Sequence, residues 1–302
     1  MKTEDIEKLL PKNISISCHD AGASNIIINW FKVHSDYNLK LHLDGPAKKQ
    51  WHKSLPEAKT YDFESFLNDS ELLISGTGWE SNLEHNARKK ASQANIYSVA
   101  VIDHWVNYKL RFERDQQTIL PNEIWVTDKY AFDLAKKTFP EIQIRLLPNY
   151  YLEDITKKIK YLDSNKEKNK QDTNILYALE PIRDSWNSEN NELGEFQALD
   201  FFISNICSIS KSSKTNIRLR LHPSESASKY NQWVEKQKLD IEISRNTDLA
   251  SDISWADIVL GCQTYVLIIA SEANKKVISS LPKHAPDFEL PYKGILELRK
   301  IL

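Results

Sequence analysis

The chain has 302 residues, with 40 Lys and Arg against 42 Asp and Glu and a formal net charge of −2. That length is enough for two domains of ordinary size, and the balanced charge leaves no electrostatic footprint for nucleic acid. Cys18, Cys207 and Cys262 are isolated, without metal-type spacing, and their odd number argues against a disulfide framework. No apolar run reaches the roughly 20 residues needed to cross a bilayer, and the acidic, amphipathic start from Met1 to Leu10 is unlike a secretory signal. A soluble, cytoplasmic protein is expected.

The predicted elements alternate between strand and helix. Ile14 to Cys18 predicts a strand, His19 to Ser24 a tight turn, and Asn25 to Val33 a helix. Strands follow at Leu39 to Leu43 and Glu71 to Ser75, then Gly76-Thr-Gly78 and a helix from Ser81 to Ala94. Ile96 to Ile102 is nearly continuous apolar sequence, as in a parallel sheet covered on both faces. Glu123 to Thr127 and Ile142 to Leu146 complete the first half, with Asp128 capping the helix between them. The stretch 163–173 is polar and reads as a linker or exposed loop.

A second alternation begins at Ile175 to Leu179, with a helix from Gly194 to Ser210. In Asn216-Ile-Arg-Leu-Arg-Leu-His-Pro-Ser-Glu225, apolar residues alternate with Arg218 and Arg220, so a half-buried strand runs into His222-Pro223. Proline holds the preceding residue extended, and Ser224 is placed to cap a helix from Glu225 to Lys238. Ile241 to Ile243, Asp257 to Leu260 and Lys276 to Ser279 predict further strands, with a helix from Gly261-Cys-Gln-Thr264 through Ala273. The pattern is α/β, with two Rossmann-like domains at 1–162 and 174–302.

Ligands of open α/β sheets bind beyond the carboxyl ends of the strands, so the residues there are the candidates. In the first half these are His19, Asp20, Gly22 and Ser24, then Thr77, then Asp103 and His104. Asp20 is either a general base or a turn stabiliser. In the second half, Glu180 suits a ribose hydroxyl and Arg183 a phosphate, or the two form a surface ion pair. His222 and Pro223 end a strand, and Gly261, Gln263 and Thr264 precede a helix whose open N–H groups suit a phosphate. Glu272 lies near the end of that helix and faces either the same site or solvent. The phosphate loop, the dinucleotide fingerprint, the nucleophile elbow and metal-type clusters are missing from the sequence.

Two such halves, with His19-Asp-Ala-Gly22 in the first and His222-Pro223 and Gly261-Cys-Gln-Thr264 in the second, resemble GT-B glycosyltransferases. The pattern is most similar to bacterial sialyltransferase-like enzymes of capsule and lipopolysaccharide synthesis that use cytidine-nucleotide donors. That group carries paired serines where this chain has Gly261-Cys-Gln-Thr264. The resemblance implies two domains facing across a cleft, with Asp20 as the base and His222 opposite it on the donor phosphate. It implies a nucleotide-sugar donor held by Glu180, Arg183, His222, Pro223, Gly261, Gln263, Thr264 and Glu272. The glycan acceptor would lie near His19, Gly22, Ser24, Thr77, Asp103 and His104. No cofactor or metal is implied, and a lipid-linked acceptor would bring peripheral membrane association. The alternatives are a nucleotide-sugar hydrolase or 2-epimerase, for which Glu80, Asp103 and Glu272 would serve, and a non-catalytic nucleotide- or glycan-binding protein.

Overall fold

The computed structural model describes residues 3–33, 36–78, 81–166, 172–186, 192–210, 212 and 214–302. They fall into two compact units, Met1–Tyr151 and Leu152–Leu302. No helix among the described residues is long and apolar enough to cross a membrane.

The N-terminal unit contains β1 (Asn13–Cys18), α1 (Ala21–Val33), β2 (Asn38–Leu43), α2 (Gly45–Ser54), β3 (Lys59–Thr60), β4 (Leu72–Ser75), α3 (Leu83–Gln93) and β5 (Tyr97–Val101). A short hairpin of β6 (Glu113–Arg114) and β7 (Gln117–Thr118) precedes β8 (Glu123–Val126), α4 (Lys129–Thr138) and β9 (Gln143–Leu146). Seven strands form one parallel sheet in the order β3-β2-β1-β4-β5-β8-β9. Strand order reverses between β1 and β4, leaving a crevice at their carboxyl ends. Ile14, Ile16, Ile74, Val99 and Val101 from the sheet are buried with Trp30 and Trp125, whose rings meet edge to face at 5.8 Å.

The chain leaves this unit through α5 (Tyr150–Ser164). Lys158 of that helix pairs with Asp248, and Lys275 reaches Asp163 at 2.8 Å, so its later turns belong to the C-terminal unit. Of the expected linker, residues 167–171 lie outside the described residues, and Asp172 already opens a strand.

The C-terminal unit contains β10 (Asp172–Ala178), α6 (Gly194–Ser204), α7 (Ile206–Ile209), β11 (Lys214–Arg220), α8 (Ser228–Glu235), β12 (Ile241–Ile243) and α9 (Leu249–Trp255). It ends with β13 (Ile258–Gly261), α10 (Tyr265–Glu272), β14 (Lys276–Ser279), β15 (Leu296–Glu297) and α11 (Leu298–Ile301). Its parallel sheet runs β12-β11-β10-β13-β14-β15, and the order reverses between β10 and β13. Both units are therefore Rossmann-like, as the alternation predicts.

Three local expectations are corrected. The first helix starts at Ala21, so Gly22 and Ser24 lie in its first turn and not in a separate loop. The small run Ala-Gly-Ala-Ser lets that helix end press directly against neighbouring loops. The helix predicted over Gly194 to Ser210 breaks at Asn205 (φ −115, ψ 16), whose amide donates back to Phe201 O at 2.8 Å. Finally, α8 starts at Ser228 with no side-chain cap, because Ser224 is bonded to His222 instead.

Candidate functional site

In the N-terminal unit the loops after β1, β4 and β5 lock together around carboxylates. His19 and Asp20 fill the two positions between β1 and α1, and His19 Nδ1 lies 2.7 Å from Asp20 Oδ1. Asp20 rests on Gly78, where a Cβ would overlap its Oδ2, and Asp103 rests in the same way on Gly22. The glycines are needed for that close approach. His19, Asp20, Gly22, Thr77 and Asp103 are thus brought to one end of the sheet. His104 joins them after β5, its ring 5.4 Å from that of Trp105.

Two of the expected acceptor contacts turn inward. Ser24 is fully buried, and its hydroxyl has no hydrogen-bond partner among the described residues. Thr77 is 1% exposed; its hydroxyl lies 3.3 Å from Val101 O and receives Arg111 at 3.1 Å. Thr77 thus braces the loop after β4, and Ser24 is packed inside the first turn of α1.

Four charged residues in this cluster were not singled out from the sequence. Arg88, Arg111 and Arg114 donate to three successive carbonyls, those of Gly76 (2.9 Å), Thr77 (3.2 Å) and Gly78 (2.6 Å). Arg111 also reaches Asp103 Oδ1 at 3.4 Å. Glu84, 1% exposed, accepts the backbone N–H of His19 at 3.0 Å and of Gly78 at 2.6 Å. Burial pushes its carboxyl up to about 7, against the His19 N–H, Arg88 and the Gly78 N–H, all of which favour the anion. Desolvation likewise lowers the Arg88 guanidinium to about 10. The sequence signal is the stripe of α3: Glu84 and Arg88 share the buried face with Ala87 and Ala91, where apolar residues are the rule.

In the C-terminal unit, Glu180 follows β10 and meets the loop after β13. Its Oε2 accepts the Gln263 N–H at 2.7 Å. Burial raises this carboxyl to about 7, opposed by the N–H groups of Gln263, Thr264 and Cys262. Thr264 caps α10 by accepting from Val266 N at 3.3 Å, and Gln263 Oε1 accepts from Glu289 N at 2.6 Å. The open helix end expected to hold phosphate is therefore already engaged by Glu180.

His222 stands at the end of β11, beside β10 in the sheet. Its Nδ1 accepts the Ser224 N–H at 3.3 Å and lies 2.8 Å from Ser224 Oγ. With Nδ1 accepting, the neutral ring carries its proton on Nε2, which is then the donor. Pro223 and Arg183 are exposed. Glu272 is not brought to this end: it is the exposed last residue of α10, at the opposite end of the helix from Thr264. Glu80 lies outside the described residues. Among the described residues no three His, Cys, Asp or Glu stand together as metal ligands.

No family model matches the sequence, and neither does any curated protein. Solved structures do match the fold. UDP-GlcNAc 2-epimerase from Neisseria meningitidis bound to UDP-GlcNAc has a TM-score of 0.62 at 10% identity, covering 91% of this chain and 84% of that one. UDP-GlcNAc 2-epimerase from Methanocaldococcus jannaschii has a TM-score of 0.58 at 14% identity, covering 95% and 88%. The wall teichoic acid polymerase TagF has a TM-score of 0.51 at 11% identity, covering 96% and 77%. The chain has a GT-B-type fold of two Rossmann-like units.

Proposed function

We propose that this protein is a metal-independent glycosyltransferase that moves a sugar from a cytidine- or uridine-activated donor to a glycan or lipid-linked acceptor in surface-polysaccharide synthesis. The observation that carries this reading is the His19–Asp20 pair, an oriented carboxylate at the end of β1, on one side of the crevice where strand order reverses. Asp20 takes the proton of the acceptor hydroxyl as its oxygen bonds to the anomeric carbon. The bond from that carbon to the donor phosphate breaks, and its electron pair leaves on the phosphate oxygen. His222 meets this developing charge with its Nε2–H. Pro223 holds His222 extended, while Gln263 and Thr264 shape the loop after β13. Arg183 and Glu180 recognise the nucleotide, and a protonated Glu180 does not repel its phosphates. Asp103 and His104 contact the acceptor.

A second reading, a nucleotide-sugar 2-epimerase or hydrolase, is favoured by the three carboxylates Asp20, Glu84 and Asp103 around one loop, with Glu84 able to hold a proton near neutrality. Replacing Asp20 and His222 tests the site. Asp20→Asn should keep nucleotide binding while turnover falls about 10²–10⁴-fold, and His222→Ala should weaken nucleotide binding itself. Wild-type binding and turnover in both variants would refute the assignment. Turnover that needs no acceptor would favour the second reading.

A further inference from the structure

We propose that Glu84 is the positioning residue of Asp20, holding both backbone points that fix where the carboxylate of Asp20 lies. This inference rests on the reading of Asp20 as the base. One Glu84 oxygen receives the N–H of His19, the residue directly before Asp20. The other receives the N–H of Gly78, the residue against which Asp20 packs. The same carboxylate therefore ties the loop after β1 to the loop after β4, and Gly76 leaves the space it occupies. Arg88, Arg111 and Arg114 hold the carbonyls of the second loop from behind, so the Gly78 N–H cannot turn away without breaking charged hydrogen bonds.

The titratable and charged groups that face Glu84 are Asp20 beside it, Cys18 at the end of β1, and Arg88 one turn along α3. Asp20 opposes its ionisation and Arg88 favours it. The ionised carboxylate offers strong acceptors to both N–H groups, whereas the neutral acid has one oxygen that accepts poorly. The clamp accordingly engages as pH rises through the neutral range, and the reactive geometry of Asp20 engages with it. A misplacement of a reacting group by about 1 Å costs on the order of 100-fold in rate.

The test is amide NMR of the full chain between pH 5 and 9, combined with turnover of Glu84→Gln. The His19 and Gly78 amide protons should titrate together with one midpoint near 7, and Glu84→Gln should abolish that titration. Asp20→Asn should keep that titration, with its midpoint moved down because the charge that opposes ionisation of Glu84 is gone. In turnover, Glu84→Gln should lower kcat about 10–100-fold, change KM for the donor by less than about two-fold, and remove the limb that rises through pH 7. Glu84→Asp, which keeps the charge, should restore part of that limb and serves also where the Gln variant fails to fold. Amides that do not titrate, a titration lost in Asp20→Asn instead, or a wild-type kcat and pH profile in Glu84→Gln would overturn the proposal. If the wild type transfers no sugar, the transferase reading fails by itself. The His19 imidazole then decides: a shifted Nδ1 resonance in Glu84→Gln supports the clamp, and an unchanged one overturns it.

Discussion

Glu84, buried on the helix after β4, and Glu180, half-buried in the loop after β10, each receive backbone N–H groups beside the point where strand order reverses. In both, burial outweighs those hydrogen bonds and lifts the carboxyl from 4.5 to about 7. An acid whose folded value is raised stabilises the fold fully below its unfolded value, and that contribution is lost as pH rises through the folded one. Apparent stability should therefore fall between about pH 4.5 and 7. Glu180→Gln removes one of the two most strongly raised carboxyls. Thermal melts at pH 5 and pH 7.5 should show a smaller drop for Glu180→Gln than for wild type, while equal drops would show that Glu180 is not raised.

Among the elements, β11 separates what patterning reveals from what it hides. The alternation around Arg218 and Arg220 correctly predicts a half-buried strand, with Ile217 and Leu219 in the core. It does not reveal that both arginines converge on Asp252 of α9, a fully buried carboxylate. Arg218 reaches it at 3.1 Å, Ser244 Oγ donates at 2.8 Å, and Arg220 pairs with its second oxygen. Arg218 also stacks over Trp255 at 3.9 Å. The helix α9 has seven residues and escapes prediction because its buried face is short, with only Ala250 and Ile253 apolar and the carboxylate of Asp252 beside them, held by this distant pairing. Asp252→Ala takes their buried partner from two partly buried guanidiniums, leaving Arg218 with Glu242 and Arg220 with the Asn246 carbonyl, and should cost about 3 kcal/mol in urea unfolding. A loss below about 1 kcal/mol would place the pair among ordinary surface ion pairs. The same blindness to distant pairing explains the arginines and Glu84 of the N-terminal site. The strand-end positions of Asp20 and His222 can be read from sequence, as can their nearby partners His19 and Ser224, whereas Glu84 and the arginines that brace the Asp20 loop come from other elements.

For the whole molecule, the repeated reversal of strand order is what makes the site readable. Alternating apolar runs are enough to predict two parallel sheets, and each sheet has its crevice where the first strand of the unit meets a later one, β1 with β4 and β10 with β13. Sequence similarity carries none of this, since the three solved structures compared above are only 10–14% identical. Geometry alone leaves Glu180 across the loop that a donor phosphate would approach, so donor binding is the step on which the account depends. The most direct measurement is a thermal-shift panel of cytidine, uridine, guanosine and adenosine diphosphates on wild type and His222→Ala. Saturation at about 100 times Kd stabilises by roughly 2.7 kcal/mol, so pyrimidine nucleotides should raise the melting temperature of the wild type clearly. The shift should be lost or much reduced in His222→Ala. No response to any nucleotide, an equal response to purines, or an undiminished shift in His222→Ala would contradict the account.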